Sequence, residues 1–262
     1  MKLQIKKDNV ITDITNWFRY AEPEGGASQW EKGRSAMEFA RYMTTNKNTM
    51  PKEIENYLTD IGFSTDSYTC YPEEVTSFAN FDLGSGSGRH HDGLLVSDDY
   101  LIGIEAKVSE PFDKSISYKI ENAKKNSDRG KNMRNRIFKS LKMIKPNFTD
   151  ESLTSNEVKP LMYQLISGIV GTIIEAQNRN ISKASFLIIE FAGDVKKEKN
   201  YDDKIKANED AYENFLNFLG LSNKPDKDRY IDVVLKGNQI RIWIAKIKIN
   251  IFLKNQYELE KD

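Results

Sequence analysis

The feature that most constrains this chain is a predicted β-hairpin that carries charged side chains inside two otherwise apolar strands. It spans residues 92–107, and Asp98-Asp99 forms a two-residue turn of the kind that hairpins favour. This register places Asp92 directly across from Glu105, with Cβ atoms roughly 5 Å apart. Lys107 projects from the same face as Glu105, because side chains two residues apart on a strand share a face.

Two facing carboxylates repel each other, and burying unpaired charge in an apolar strand is costly. A divalent cation between them would replace this repulsion by attraction to the ion. Mg²⁺ is commonly bound in this way, by one or two carboxylates together with substrate phosphate. Asp92, Glu105 and Lys107 are therefore predicted to form a metal-dependent site for phosphodiester cleavage. The alternative is a structural ion pair of Lys107 with Glu105 or Asp92, which leaves the second carboxylate poorly compensated.

Composition narrows the class of protein. The 262 residues suit one large domain or one domain with an insertion, and 39% hydrophobic with 30% charged residues is ordinary for a globular protein. Lys+Arg and Asp+Glu both number 39, so any nucleic-acid surface must come from local clustering. The single cysteine, Cys70, excludes an intrachain disulfide and fits a reducing compartment. No apolar run resembles a signal peptide or a membrane span, so we expect a cytoplasmic protein without a membrane partner.

The hydrophobic pattern predicts an α/β order of elements. Residues 1–27 look irregular, and both faces of the hairpin are apolar, as in a sheet covered on both sides. A long helix followed closely by a buried strand indicates a crossover back onto the sheet. Helices are predicted over residues 28–44, 51–60, 114–148, 159–177 and 205–220, and strands over 65–82, 91–108, 184–191, 230–236 and 239–251. The last two strands form a hairpin about Gly237-Asn238, and the strand region 65–82 is interrupted at Pro72.

This order, with Asp on one strand and Glu-x-Lys on its neighbour, resembles the PD-(D/E)XK nuclease superfamily, the restriction-endonuclease-like fold. The resemblance covers residues 28–192 as a succession of elements, and His91 stands where the superfamily usually has Pro. It implies an αβββαβ core around a central mixed sheet, in an uncharacterised bacterial or phage branch. The chain would be one nuclease-like domain over 1–262, with a basic helical insertion at 114–148 and a C-terminal extension at 194–262.

The resemblance also implies ligands and a cofactor. One or two Mg²⁺ ions, for which Mn²⁺ substitutes, would be held by Asp92, Glu105, the backbone carbonyl of Ala106, and an acidic residue of the leading helix, Glu38. Arg34 and Arg41 flank Glu38 at helical spacing, so a salt-bridged helix face is an equally favoured alternative.

The helix after the motif would supply a catalytic glutamine, Gln164. Gly168 and Gly171 lie on the same helix face, and each costs about 1 kcal/mol relative to Ala. Close approach of the helix to the sheet or to a substrate explains that cost, and core packing explains it equally well.

The two histidines are adjacent and point to opposite faces of a regular strand, so at most one can join the site. The register places His90 on the active face, where it is a candidate for binding phosphate, although a solvent-exposed loop histidine is the commoner case. Glu110 is a weaker candidate for supporting the site, because the strand ends near Pro111.

A basic segment follows the motif, with ten Lys or Arg residues against two acids between residues 119 and 145. Such asymmetry predicts contact with a polyanion, and the alternative is a solvated helix face. The best candidates for contacting DNA are Arg129, Lys131, Arg134 and Arg136. The sequence thus predicts a Mg²⁺-dependent endonuclease for double-stranded DNA with a restriction or defence role, and homodimerisation would suit double-strand cutting. The alternatives are an inactive nucleic-acid-binding module, or a nuclease for RNA or structured DNA.

Overall fold

A computed structural model of the protein describes residues 1–83, 88–123, 127–193 and 200–251. Within them the chain forms one seven-stranded mixed sheet and seven α-helices, which confirms the predicted α/β class. The strands are β1 (Lys2–Ile5), β2 (Ser67–Thr76), β3 (Arg89–Val96), β4 (Tyr100–Lys107), β5 (Lys183–Gly193), β6 (Tyr230–Leu235) and β7 (Asn238–Ile251). The helices are α1 (Ile14–Tyr20), α2 (Ser35–Thr44), α3 (Lys52–Asp60), α4 (Ile116–Ala123), α5 (Ser127–Ile144), α6 (Tyr163–Asn178) and α7 (Tyr201–Leu219). None of these helices combines the length and the apolar character that crossing a membrane requires.

The strands lie in the order β1-β2-β3-β4-β5-β7-β6. β2, β3 and β4 are antiparallel neighbours, whereas β5 is parallel to both β4 and β7. The chain therefore crosses from β4 through α4, α5 and α6 back to the same sheet, as the helix-then-strand pattern predicted. One face packs on α5, α6 and α7, and the other on α2 and α3, with an apolar core on each side. Two buried layers explain why the central strands are apolar on both faces.

The hairpin of β3 and β4 has the predicted register. β3 ends at Val96 and β4 begins at Tyr100, where the Ser97 N–H donates to the Tyr100 carbonyl at 2.9 Å. Gly93 pairs with Ile104 at the other end of the ladder. The turn at residues 98–99 therefore sets which side chains share a face.

The alternation of faces along β3 is interrupted next to Asp92, which the sequence did not predict. Leu94 lies in the core cluster on the α6 side, and an added Cβ at Gly171 of α6 would meet both Arg89 and His91. Residues 89, 91 and 94 cannot share a face of a regular strand. The paired strand β2 is distorted at the same level, where Glu73 has a left-handed φ of 48°. β2 continues through Pro72 instead of being interrupted there, and its distortion at Glu73 lies beside the residues where β3 changes face.

Several boundaries differ from the prediction. Residues 1–27 contain β1 and α1, and β1 extends the sheet by pairing in parallel with β2. The leading helix begins at Ser35 instead of Ser28, and α7 begins at Tyr201, four residues earlier than predicted. The last hairpin turns at Lys236-Gly237, whose φ values of 49° and 86° suit a two-residue turn with both central residues left-handed.

Candidate active site

A cavity of about 700 Å³ lies where α6 crosses the ends of β3 and β4. Segments from before α2, from α4 and from α5 also contribute to its walls. The predicted site residues that line it are Asp92, Glu105, Lys107, Gln164, His90 and Arg136. The structure thus brings both carboxylates of the motif, its lysine and the predicted glutamine to one cavity.

Asp92 lies where the β3–β4 ladder ends. Beyond the Gly93–Ile104 pair the backbones separate, and Asp92 Oδ2 accepts a hydrogen bond from the Ala106 N–H at 2.6 Å. Burial raises the pKa of Asp92, while the ammonium group of Lys107 opposes this rise. Asp92 is therefore a desolvated carboxyl group that holds its proton more tightly than usual, and a nearby cation favours its charged form.

Glu105 is the centre of a buried ion-pair cluster. Its side chain is 1% exposed, and Oε1 lies 2.7 Å from Lys107 Nζ. Its Oε2 accepts from the guanidinium of Arg89, a residue that sequence reasoning missed. Burial lowers the pKa of Lys107, and the carboxylate of Asp92 opposes this change. The regular alternation of β3 would have placed Arg89 on the opposite face from Asp92, so no sequence signal identified it.

Glycines allow α6 to lie close to the sheet. An added Cβ at Gly168 would stand 2.5 Å from the ring of Phe186, and one at Gly171 would stand 2.7 Å from Cγ of Arg89. This accounts for the two glycines that the sequence singled out. Gln164, one turn before Gly168, has a buried Oε1 with no hydrogen-bond partner among the described residues. Gln164 also lines the cavity, so its side chain lies beside the motif residues with an unused acceptor.

The acidic residue predicted on the leading helix lies elsewhere. Glu38 is buried, and its Oε1 accepts from the Gly33 N–H at 2.7 Å and lies 3.9 Å from Arg41. It lines a second, smaller cavity on the α2 side instead of the one that contains Asp92. The side chain of Ala106 lies in the core on the α2 side, and its N–H donates to Asp92 Oδ2; the ligand role of its backbone carbonyl stays a prediction.

Two other acids border the cavity. The carboxylate of Glu110 accepts from the Ser35 N–H at 3.1 Å and from the Val108 N–H at 2.9 Å, so it joins the start of α2 to the end of β4. Burial and the neighbouring Asp92 raise the pKa of Glu73 to about 9. Sequence reasoning missed Glu73, because its position depends on its own left-handed backbone.

The two histidines have different surroundings. His91 is fully buried, and its Nε2 lies 3.1 Å from Thr76 Oγ1, which in turn donates to Glu175 of α6. Burial lowers the pKa of His91 well below its usual value. His90 lies at the cavity wall, with Nε2 4.0 Å from Glu24. His90 is thus the histidine that lines the cavity. His91 does not line it, but the change of face in β3 turns its ring toward Gly171 of α6.

The basic segment forms α4 and α5, and acids from elsewhere in the chain neutralise much of its charge. Arg134 pairs with Asp150 at 2.5 Å, Lys145 lies 3.4 Å from Glu157, and Lys139 pairs with Asp82. Lys131 is exposed, and the side chain of Arg129 lies outside the described residues.

One arginine of this segment reaches the cavity. Arg136 lines the wall, and its Nε donates to the Leu83 carbonyl at 2.7 Å. Lys119 lines the same wall from α4 and pairs with Asp113 at 2.6 Å. Arg136 therefore brings positive charge of this segment to the cavity, whereas the charge of Lys119 is paired with Asp113, which lines the same cavity.

The cavity could hold a hard divalent cation through two carboxylates, those of Asp92 and Glu105. No group of three or more His, Cys, Asp or Glu residues that could hold a metal ion occurs among the described side chains. Asp92 and Glu105 nevertheless both line the cavity, and Mg²⁺ is commonly held by one or two carboxylates with substrate phosphate and water completing its shell. The residues present therefore fit Mg²⁺, provided that Glu105 gives up one of its cationic partners.

Comparison with known proteins gives the family. No curated protein and no solved structure matches the chain significantly. One family model, described as "Domain of unknown function (DUF6946)", matches residues 10–250, which include every strand from β2 to β6 and every helix. Because this match covers most of the sequence, the chain belongs to the DUF6946 family.

Proposed function

We propose that the protein is a Mg²⁺-dependent endonuclease that hydrolyses phosphodiester bonds of double-stranded DNA. One observation carries the proposal: Asp92, Glu105, Lys107 and Gln164, chosen from sequence alone, all line one cavity. Supporting it, the succession α2, β2, β3, β4, α6, β5 follows the order of the restriction-endonuclease-like core, with α3 inserted after α2 and with α4 and α5 inserted after β4. A restriction or defence role, and a homodimer that cuts both strands, extend the same proposal.

The chain's own groups have distinct tasks in this mechanism. Asp92 and Glu105 would hold the ion, which when bound supplies a Lewis acid that polarises the scissile phosphate and lowers the pKa of a coordinated water molecule. Lys107 Nζ, whose pKa is lowered by burial, orients the attacking water and stabilises the negative charge that develops on the phosphate. Gln164, whose buried Oε1 has no partner among the described residues, would accept a hydrogen bond from that water and so help to position it.

Substrate would enter along the wall formed by α4 and α5. Arg136 lines the cavity on this side, and Lys131 is exposed nearer the start of α5, whereas the charge of Lys119 is paired with Asp113. Cations placed beside the reactive groups attract the phosphate backbone without selecting a sequence. Arg134, whose charge is already paired with Asp150, contributes less to this attraction.

Purified protein incubated with supercoiled plasmid and Mg²⁺ or Mn²⁺ tests the proposal. We expect nicking or cutting that chelation abolishes, and a loss on the order of 10²–10³-fold in Asp92→Asn and in Lys107→Met. Asp60→Asn removes an exposed carboxylate of α3 outside the cavity and serves as the purification-matched control, with full activity expected. Cutting retained in a folded Lys107→Met protein would contradict the assigned role, and RNA and branched DNA substrates identify the alternative specificities.

The ion pairs of Glu105 favour a second candidate, a nucleic-acid-binding module on the same fold that performs no chemistry. In that case Glu105 has a purely structural role, with both oxygens permanently held by Arg89 and Lys107. Calorimetric titration with Mg²⁺ separates the two functions. Binding that disappears in Asp92→Asn supports the nuclease, and DNA binding without any Mg²⁺ binding supports the module.

A further inference from the structure

Arg89 is a buried cation with few partners. Its side chain is 9% exposed, and its hydrogen bond to a described residue goes to Glu105. Its Nε is buried without a hydrogen-bond partner among the described residues. A guanidinium carries five N–H donors, and leaving buried donors unpaired is costly. An arginine with a purely structural role would have its Nε satisfied, so the unpartnered Nε suits a group that changes partners.

The fold places Arg89 at this point by two separate features. The interruption of β3 turns Arg89 toward α6, and Gly171 leaves the room through which its aliphatic stem passes. An alanine Cβ at position 171 would stand 2.7 Å from Arg89 Cγ and 2.8 Å from Arg89 Cβ. Together these features bring the guanidinium beside the carboxylate of Glu105.

Arg89 and Lys107 are the two cations paired with Glu105, and both would compete with a bound metal ion for this carboxylate. Lys107 holds Oε1 of Glu105 and has a second contact, with Nζ 5.5 Å from the centre of the Phe112 ring. Arg89 holds Oε2 and extends from the same strand as Asp92, the other carboxylate. A divalent ion shared by Asp92 and Glu105 would therefore compete with the guanidinium for Oε2, because like charges at contact distance repel.

We propose that Arg89 is an internal counter-cation of the metal site: it neutralises Glu105 when no divalent ion is bound, leaves that carboxylate as the ion binds, and then contacts the phosphate of the substrate. The inference rests on the proposed function and specifies its regulation. Released from Glu105, the guanidinium faces the cavity, where its planar donors match two oxygens of a phosphate.

This arrangement couples metal binding to phosphate binding. The ion displaces Arg89 from Glu105 and frees its guanidinium for the phosphate, and the phosphate draws Arg89 away from the carboxylate that the ion needs. Each ligand must therefore strengthen the binding of the other by the same factor. The protein would then assemble its reactive groups only when ion and substrate are both present. It would otherwise remain in a resting state in which Glu105 is ion-paired with Arg89 and Lys107.

Metal affinity tests the first half of the inference. Calorimetric titration with Mg²⁺ should show at least about tenfold tighter binding for Arg89→Gln than for the original protein. Arg136→Gln removes an equal charge from the same cavity wall without touching Glu105, and its affinity should change by less than about twofold. Equal Mg²⁺ affinity in Arg89→Gln and the original protein overturns the inference and leaves the metal site intact. Absence of Mg²⁺ binding in all three proteins overturns the proposed function as well.

A second variant guards against misfolding of the first. Gly171→Ala keeps every charge but displaces the stem of Arg89, so its Mg²⁺ affinity should move in the same direction as that of Arg89→Gln. Far-UV circular dichroism confirms that the variant is folded. A folded Gly171→Ala protein with unchanged or weaker Mg²⁺ binding counts against competition at Glu105.

Fluorescence anisotropy with a labelled short DNA duplex tests the second half. Ca²⁺, another hard cation that binds oxygen ligands, replaces Mg²⁺ to limit cleavage. Ca²⁺ should strengthen DNA binding at least about threefold more in the original protein than in Arg89→Gln. An equal gain in both proteins excludes the contact between Arg89 and phosphate.

Discussion

Replacing Glu105 by glutamine tests whether the cavity charges stabilise the fold or strain it. The Glu105 side chain is 1% exposed and is the counter-charge of both Lys107 and Arg89. Glutamine keeps the size but removes the charge, so two buried cations would be left side by side. Removing one member of a buried ion pair costs about 3–5 kcal/mol. We expect the free energy of unfolding at pH 7 to fall by this amount.

Lys107 limits the loss, because it can release its proton whereas Arg89 cannot. An unfolded lysine has a pKa of about 10.4, so keeping it neutral at pH 7 costs at most about 4.6 kcal/mol. Burial already lowers the pKa of Lys107 in the folded protein. The unfolded chain then binds more protons than the folded one, so stability rises with pH. Between pH 7 and 9 the variant should regain up to about 2.7 kcal/mol.

Urea unfolding followed by circular dichroism at pH 7 and pH 9 measures both effects. Asp150→Asn is the control, because its partner Arg134 is 41% exposed and such pairs contribute less than about 1 kcal/mol. An unchanged or increased free energy of unfolding in Glu105→Gln would refute the reasoning. It would mean that repulsion among the cavity carboxylates exceeds the attraction of the two cations.

Three other predictions follow from buried groups. Gly103→Ala places a Cβ 2.1 Å from Thr172 Oγ1 and should lower the free energy of unfolding by about 1–3 kcal/mol. In a double-mutant cycle, adding Thr172→Ala should restore most of this loss. Additive losses from the two substitutions would contradict the contact. Burial lowers the pKa of His91, so only the unfolded chain protonates this imidazole as the pH falls below about 6.5. The free energy of unfolding should therefore decrease by about 1.4 kcal/mol from pH 7.5 to 5.5. This decrease should be absent in His91→Gln and kept in His90→Gln. Denaturation curves of these proteins at the two pH values check this, and identical pH dependence in all of them would disprove it. Burial also raises the pKa of Cys70, so a thiol reagent should modify it only after unfolding, and rapid labelling of the native protein would show that the site is open.

Local chemistry explains what could be predicted from the sequence. The hairpin of β3 and β4 has its predicted register because a two-residue turn between apolar strands leaves one in-register pairing with both faces buried. The glycines of α6 indicated a close approach, and Gly168 indeed meets Phe186 of the sheet. Such signals lie within a few residues of the structure that they specify.

Contacts between distant segments could not be predicted in this way. The charge excess between residues 119 and 145 suggested a free polyanion surface, but Asp82, Asp150 and Glu157 come from outside it to pair with its cations. Glu38 was expected near Asp92, yet its carboxylate binds the backbone of Gly33. Which acid meets which cation depends on tertiary packing, and residue spacing does not encode it.

Interruption of β3 links the structural and the proposed chemical roles of Asp92. Past Gly93 the ladder ends, so the Ala106 N–H would lack an acceptor on this side if Asp92 Oδ2 did not replace it. The same separation opens the sheet toward the cavity and turns Arg89 onto the α6 face. Asp92→Ala would remove the acceptor and the charge together, so a loss of cutting in that variant could reflect local unfolding. Asp92→Asn keeps an oxygen that accepts from Ala106 and removes the charge alone. A folded, inactive Asp92→Asn protein therefore indicates a chemical role for Asp92, whereas an active one restricts this residue to closing the strand end.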